Sequence, residues 1–237
     1  MPTRHIFVHN VGQAYLMSCL SGLNRLIEMK KKIFWIPFAV LSVLIGLYPL
    51  KYLLNAGKIG ILNGKPDWLL NSETWKISFY THIVLGGVAL LIGWIQFNKK
   101  LRLHKPYVHQ FIGKIYVVSV LLSSFSGFYI ALFADQGLWA SLGFICLAVI
   151  WFYTTLMAYL AVRNKQFLRH QNMMIYSYAA CFAAVTLRIW LPVLIIIIGD
   201  YGTCYIIVAW LSWIPNLFVA YLIVKRATFN NILIAKS

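Results

Sequence analysis

Six apolar stretches, each near twenty residues, constrain this chain more than any other feature. They run over about 33–54, 77–97, 111–133, 139–162, 173–198 and 204–224. Some 20 helical residues rise the ~30 Å of a bilayer's hydrocarbon core. A single apolar segment can cross only as a helix, which satisfies its own backbone there. The sequence therefore predicts an all-α integral membrane protein, a bundle of six transmembrane helices. Short turns join most of them, so sequence neighbours should pack as antiparallel neighbours. The sizeable loop, Asn55 to Trp75, is rich in the turn formers Gly, Asn, Pro and Asp. Composition agrees: 61% of residues are hydrophobic and 11% charged, where a soluble domain is nearer a quarter charged.

Charge placement sets orientation. The net charge is +16. It does not indicate nucleic acid, because the basic residues sit in turns between apolar runs rather than on one soluble surface. Of the 21 lysines and arginines, all but Lys51, Lys58, Lys65, Lys76 and Arg188 fall on one side of the predicted membrane. That side holds one acid, Glu28; Asp67, Glu73, Asp135 and Asp200 lie on the other. The positive-inside bias places both termini in the cytoplasm.

Residues 1–28 contain no run long enough to cross. Met29, three lysines and an apolar run then read as the natural start of a membrane domain over 29–237. Two readings of 1–28 stand: an N-terminal extension that is disordered or not translated, or a short interfacial helix. The first span is too long for a signal peptide and lacks an A-x-A-like cleavage site, so it is read as a retained anchor. Cys19, Cys146, Cys181 and Cys204 form no C-x-x-C pair, and no disulfide is expected.

The polar residues inside the spans carry what chemistry there is. His170, Ser177, Cys181, Ala184 and Arg188 share one helical face at 100° per residue. Ser78, His82, Gly86, Ala89, Gly93 and Gln96 form a second stripe, and His109, Gly113, Tyr116, Val120, Ser123 and Gly127 a third. Small residues let membrane helices approach closely; the same stripe around His82 can instead leave room for a flat cofactor. His109 and His170 open two spans at one depth, where they could ligate one haem iron axially or snorkel to headgroups. Arg188 costs about 2.5–3.5 kcal/mol within a span, even on the lenient scale. Asp200, Asn216 or a bound anionic group are its candidate partners, with Trp213 at the same level. An arginine beside aromatic rings suits a quinone head, a haem propionate or a lipid phosphate; the alternative is a structural bond to a carbonyl freed by Pro192 or Pro215. The sequence lacks H-E-x-x-H, G-x-S-x-G, Walker and G-x-G-x-x-G motifs. It has no acid within a span, which counts against a proton-coupled carrier. The second and fourth spans each end in a basic turn closing on a histidine, which suggests a duplicated hairpin or the outcome of topology alone.

From Thr81 to Arg226 the chain resembles the bacterial membrane proteins of domain of unknown function 2306. The carrying pieces are His82 with GGVALLIGWIQF, Leu101-Arg102, HQFIGKIYVVSV, WFYTTLMAYLAVR, RHQNMMIYSYAACFAAVTLRIWLP and WLSWIPNLFVAY. Tyr221 stands where that family tends to have an acid. The resemblance implies a family-like core over 77–226 in a multi-pass protein of the bacterial inner membrane, and assigns no activity. Histidine placement is loosely similar to that of small membrane cytochromes, by analogy only.

The leading expectation is a protein binding haem b or a quinone for electron transfer, with a membrane redox partner. His109 and His170 would hold iron on the inner side; His82 and Arg188, with Trp213 and Asn216, would form an outer pocket for a quinone head. The alternative is a non-catalytic scaffold, a lipid-binding module or an assembly partner. Small-molecule transport comes third.

Overall fold

The computed structural model describes residues 35–54 and 60–236, with side chains as far as 229. The expectation for residues 1–28 lies outside the described residues. Six helices are long and apolar enough to cross a membrane: Trp35–Leu54, Glu73–Phe97, Pro106–Ala131, Leu138–Arg163, Phe167–Ile198 and Tyr201–Phe229. We number them α1 to α6. The described residues contain no strand.

Polar caps explain why α2 and α6 start before their apolar runs. Ser72 Oγ accepts from Trp75 N at 3.4 Å and starts α2, with Glu73 in its first turn. Asn98 Oδ1 accepts from Lys100 N at 2.9 Å and opens the short helix Lys99–His104. Pro106 starts α3 at a position where its missing N–H is harmless. Gly199, at φ 82°, ends α5, and Asp200 Oδ2 accepts from Thr203 N at 2.7 Å to start α6.

The chain divides into two compact units between Leu41 and Ser42. Of the first, residues 35–41 are described: a helical stretch on which the Trp35 and Phe38 rings lie 5.4 Å apart. In the second unit α2 packs on α3, α3 on α4 and α4 on α5. The interior is small and polar: Ser42, Ser123, Ser177, Thr155, Ala89, Ala140 and Ala209 are fully buried. The outside is apolar, with Ile196 84% and Phe125 74% exposed. That inversion of a soluble domain is what lipid demands, since close backbone approach and interhelical hydrogen bonds hold a membrane bundle together.

Ser177 and Tyr178 of α5 centre this interior. Tyr116 Oη lies 2.9 Å from Ser177 Oγ, and Thr155 Oγ1 lies 2.6 Å from it. Tyr178 Oη donates to Leu90 O at 3.1 Å and also lies 3.1 Å from Ser42 Oγ. Gly93 makes room for this pair of rings. A Cβ there would meet Tyr178 Cδ2 at 2.5 Å and Tyr116 Cε2 at 2.7 Å. The small-residue stripe of α2 is therefore a packing face at this level, filled by protein rings.

Helix α1 turns at Leu47–Pro49, and two further helices expected to be continuous are broken near their middles. Helix α5 turns at Phe182, and α6 at Ser212–Trp213, just before Pro215. Pro215 removes one ladder donor and explains the second break. Phe182 has no adjacent Pro or Gly; its break is stabilised from outside. Thr186 Oγ1 donates to Ser212 O across the two spans. Asn216 Nδ2 reaches Ala179 O at 3.3 Å, Thr186 Oγ1 at 3.1 Å and Ser212 O at 2.9 Å. Irregular backbone at membrane depth needs such replacement partners.

Candidate functional site

The His82 ring is held between two positions of α3, one turn apart. Its Nδ1 lies 2.9 Å from Ser123 O, and Ser123 Oγ donates to His82 O at 2.9 Å. A Cβ at Gly127 would stand 2.6 Å from Nδ1, so only glycine leaves the ring its place. A carbonyl can only accept, which puts the proton on Nδ1. Nε2 makes no hydrogen bond among the described residues, and the residue is only half-buried.

Arg188 lies within electrostatic reach of His82. Its Nη1 donates to Ala184 O at 2.7 Å, one turn back on its own helix. The guanidinium stands over the Tyr48 ring of α1, 4.4 Å from its centroid. This is a cation–π contact of the kind arginine favours. The Tyr48 and Tyr52 rings meet edge-on at 5.8 Å; Tyr52 packs on Phe79 at 5.6 Å, and Phe79 stacks on Trp75 at 5.2 Å. Among the described residues no carboxylate lies within ion-pair distance of Arg188. The bond to Ala184 O is the one that its five N–H donors make among the described residues.

Two expected partners of Arg188 are elsewhere. Asp200 is fully exposed, and hydrogen bonding from the Thr203 side chain, and then from its N–H, holds its carboxyl below the usual range. Asn216 is taken up by the paired helix breaks. Trp213 belongs to the same region: its Nε1 donates to Ala209 O at 2.8 Å, and its ring meets Trp210 at 5.8 Å. Trp213 and Asn216 thus shape the α5–α6 junction and make no bond to the guanidinium. Tyr48 and Tyr52 supply the aromatic wall instead. The sequence signal for them was an i, i+4 tyrosine pair in the first span, across the bundle from Arg188 in chain order.

The other end of the bundle carries His109 and His170, within electrostatic reach of each other. Each bonds back to the preceding span. His170 Nδ1 lies 2.9 Å from Ala158 O, so it carries the proton and leaves Nε2 bare. The Gln96 amide, turned so that donors meet acceptors, gives its NH2 to His109 Nδ1 and to His109 O at 3.2 Å; its oxygen accepts from Gly113 N at 3.3 Å. His109 therefore has the opposite tautomer. Iron ligation through its Nε2 would require the Gln96 amide to turn over. Cys146, Cys181 and Cys204 are free thiols. The described residues hold no cluster of three or more metal-ligating side chains.

The described part of the loop after α1, residues 60–72, is built of short helical pieces. Residues Gly60–Gly64 form a 3-10 turn and Asp67–Leu70 a short helix. Leu62 and Leu69 bury against Tyr52, Trp75 and Phe79. Lys65 is buried and donates to Phe133 O and, at 2.7 Å, to Asp135 Oδ1. The segment thus roofs the aromatic cluster next to Arg188. Between it and the α3–α4 turn lies a cleft of about 470 Å³, lined by Gly60, Ile61, Gly64, Asp135, Gln136 and Tyr201.

Six helices long and apolar enough to span, around a small and polar interior, define a multi-pass helical membrane protein. The chain belongs to the family described as Predicted membrane protein (DUF2306), whose profile matches residues 79–224. That range includes His82, His109, His170, Arg188, Trp213 and Asn216, and leaves out Tyr48 and Tyr52. No curated protein matches the chain, and no solved structure does.

Proposed function

We propose that this membrane protein binds the head of a quinone-class ligand between His82 and Arg188 and works in electron transfer within the bacterial inner membrane, its basic end in the cytoplasm. One observation carries the reading. Arg188 sits within a span with no carboxylate beside it among the described residues, stacked on Tyr48 and spending one bond on Ala184 O. A purely structural arginine would use its donors on the protein, since unpaired polar groups are costly in lipid. A quinone oxygen would accept from the guanidinium, and the aromatic wall of Tyr48 and Tyr52 suits a flat ring. Interconverting quinone and quinol exchanges two electrons and two protons. His82 Nε2 is the group placed to exchange a proton, and a membrane redox protein would exchange the electrons. The test is titration of a short-tailed benzoquinone into nanodisc-embedded protein, followed by tryptophan quenching. Saturable binding that falls at least ten-fold in Arg188→Leu supports the reading; equal binding by wild type and variant overturns it.

Haem b between His109 and His170 is the second reading. His170 favours it, because its Nδ1–H bonds a carbonyl as iron-ligating histidines do. A dithionite-minus-oxidised visible spectrum tests it: a Soret shift lost in His170→Ala supports haem, and a flat spectrum removes it. A colourless protein that binds no quinone would leave the scaffold or lipid-binding alternative, with vesicle uptake as the assay for transport.

A further inference from the structure

The two poles of the pocket differ in what they ask of a ligand. Arg188 has only donors, so it takes an acceptor oxygen. His82 is the reverse. Its Nδ1 proton is committed to Ser123 O at 2.9 Å, and Ser123 Oγ returns a bond to His82 O at 2.9 Å, which clamps the residue from both sides. Ser123 Oγ also lies 3.3 Å from Nδ1, but its own proton goes to His82 O, so at Nδ1 it too can only accept; Gly127 packs behind the ring. In the neutral imidazole Nε2 is then a bare lone pair, able to accept and unable to donate. A bare carbonyl placed against it would be lone pair against lone pair. A hydroxyl placed there makes a hydrogen bond.

We infer that the pocket discriminates by oxidation state, and takes the reduced, hydroxyl-bearing form of its ligand, an aromatic diol, in preference to the dione. The inference rests on the quinone-class reading above and adds to it the direction of the hydrogen bond at His82. One diol O–H donates to His82 Nε2, and the oxygen on the far side of the ring accepts from Arg188. A site built to pair a ligand hydroxyl rejects the analogue lacking it, because its own polar atom is left unpaired.

The test is a pair of titrations on the full chain in nanodiscs, using a short-tailed benzoquinol under anaerobic dithionite and the matching benzoquinone without reductant. The expected result is at least ten-fold tighter binding of the quinol. His82→Gln provides the control, because its amide can turn to donate or accept; it should keep binding and lose the preference. His82→Phe should bind both forms weakly and equally, with helical content unchanged by circular dichroism. Equal binding of both forms by wild type, or tighter binding of the quinone, overturns the oxidation-state inference and leaves the site standing. A preference that persists in His82→Gln also overturns it. Binding of neither form overturns the quinone-class reading itself.

Discussion

Asn216→Leu tests the junction on which the pocket's geometry depends. Leucine keeps the bulk of asparagine and removes its amide. The two hydrogens of its NH2 serve three acceptors: Ala179 O at 3.3 Å and Thr186 Oγ1 at 3.1 Å across the spans, and Ser212 O at 2.9 Å within its own helix. Interhelical hydrogen bonds in membranes average about 0.6 kcal/mol and reach about 1.7. Two of them set the loss at roughly 1–3 kcal/mol. Ser212 O keeps the Thr186 hydroxyl as a partner, so its share is small. Thr186→Val removes both that donor and one acceptor of the amide. The two changes touch one network, and their effects should be non-additive by about 0.5–1 kcal/mol. Steric-trapping or reversible detergent unfolding of the four-member double-mutant cycle measures this. Strict additivity, or wild-type stability in Asn216→Leu, would refute the claim that the two breaks are held by these bonds.

Three further outcomes follow from separate contacts. Asp135→Asn should cost about 3 kcal/mol by leaving the buried Lys65 ammonium without its anion; hydrogen exchange at Leu62–Leu69 should rise more than elsewhere, and Lys65→Met in the same chain should restore part of the loss. Gly93→Ala should destabilise by roughly 1–3 kcal/mol, because its Cβ would enter the space of the Tyr178 and Tyr116 rings; Gly113→Ala, whose Cβ meets nothing nearer than 3.9 Å, should unfold like wild type in the same assay. The Asp200 carboxyl is held below its ordinary value by Thr203, so its cap is intact above pH about 4 and is lost as pH falls through the folded value; protection factors at Tyr201–Tyr205, taken relative to intrinsic exchange at each pH, should fall on acidification, and Asp200→Ala should abolish that change.

Hydropathy read the spans well because a bilayer leaves no other way to satisfy twenty apolar residues. Their ends were missed by up to six residues, at Phe167, because helix bonding runs on through polar turns until a cap or a glycine stops it. Ser72 and Asp200 are visible cap residues, and they mark starts that the apolar runs alone place too late. The face joining His170 to Arg188 was drawn on an unbroken helix. Phe182 breaks it, and the cause lies at Asn216 and Thr186, thirty residues apart in sequence. Local patterning cannot show such a partner. The pairing of Arg188 was missed for the same reason: Asp200 and Asn216 were near in sequence, whereas Tyr48 lies 140 positions away on α1. His82, by contrast, stood out as an imidazole at membrane depth, and Ser123 and Gly127 already shared one stripe of α3. What the pattern lacked was the pairing of the two stripes, which fixes the tautomer.

The measurement that bears most directly on the His82–Arg188 pocket is the quinone content of protein purified from its membrane. Solvent extraction and mass spectrometry would count quinone heads per chain in wild type, in Arg188→Leu and in a size-matched control membrane protein. The account predicts near one quinone per wild-type chain, and loss of most of it in Arg188→Leu while the variant stays helical and monodisperse. Quinone at control levels in wild type, or equal amounts in wild type and Arg188→Leu, would contradict it.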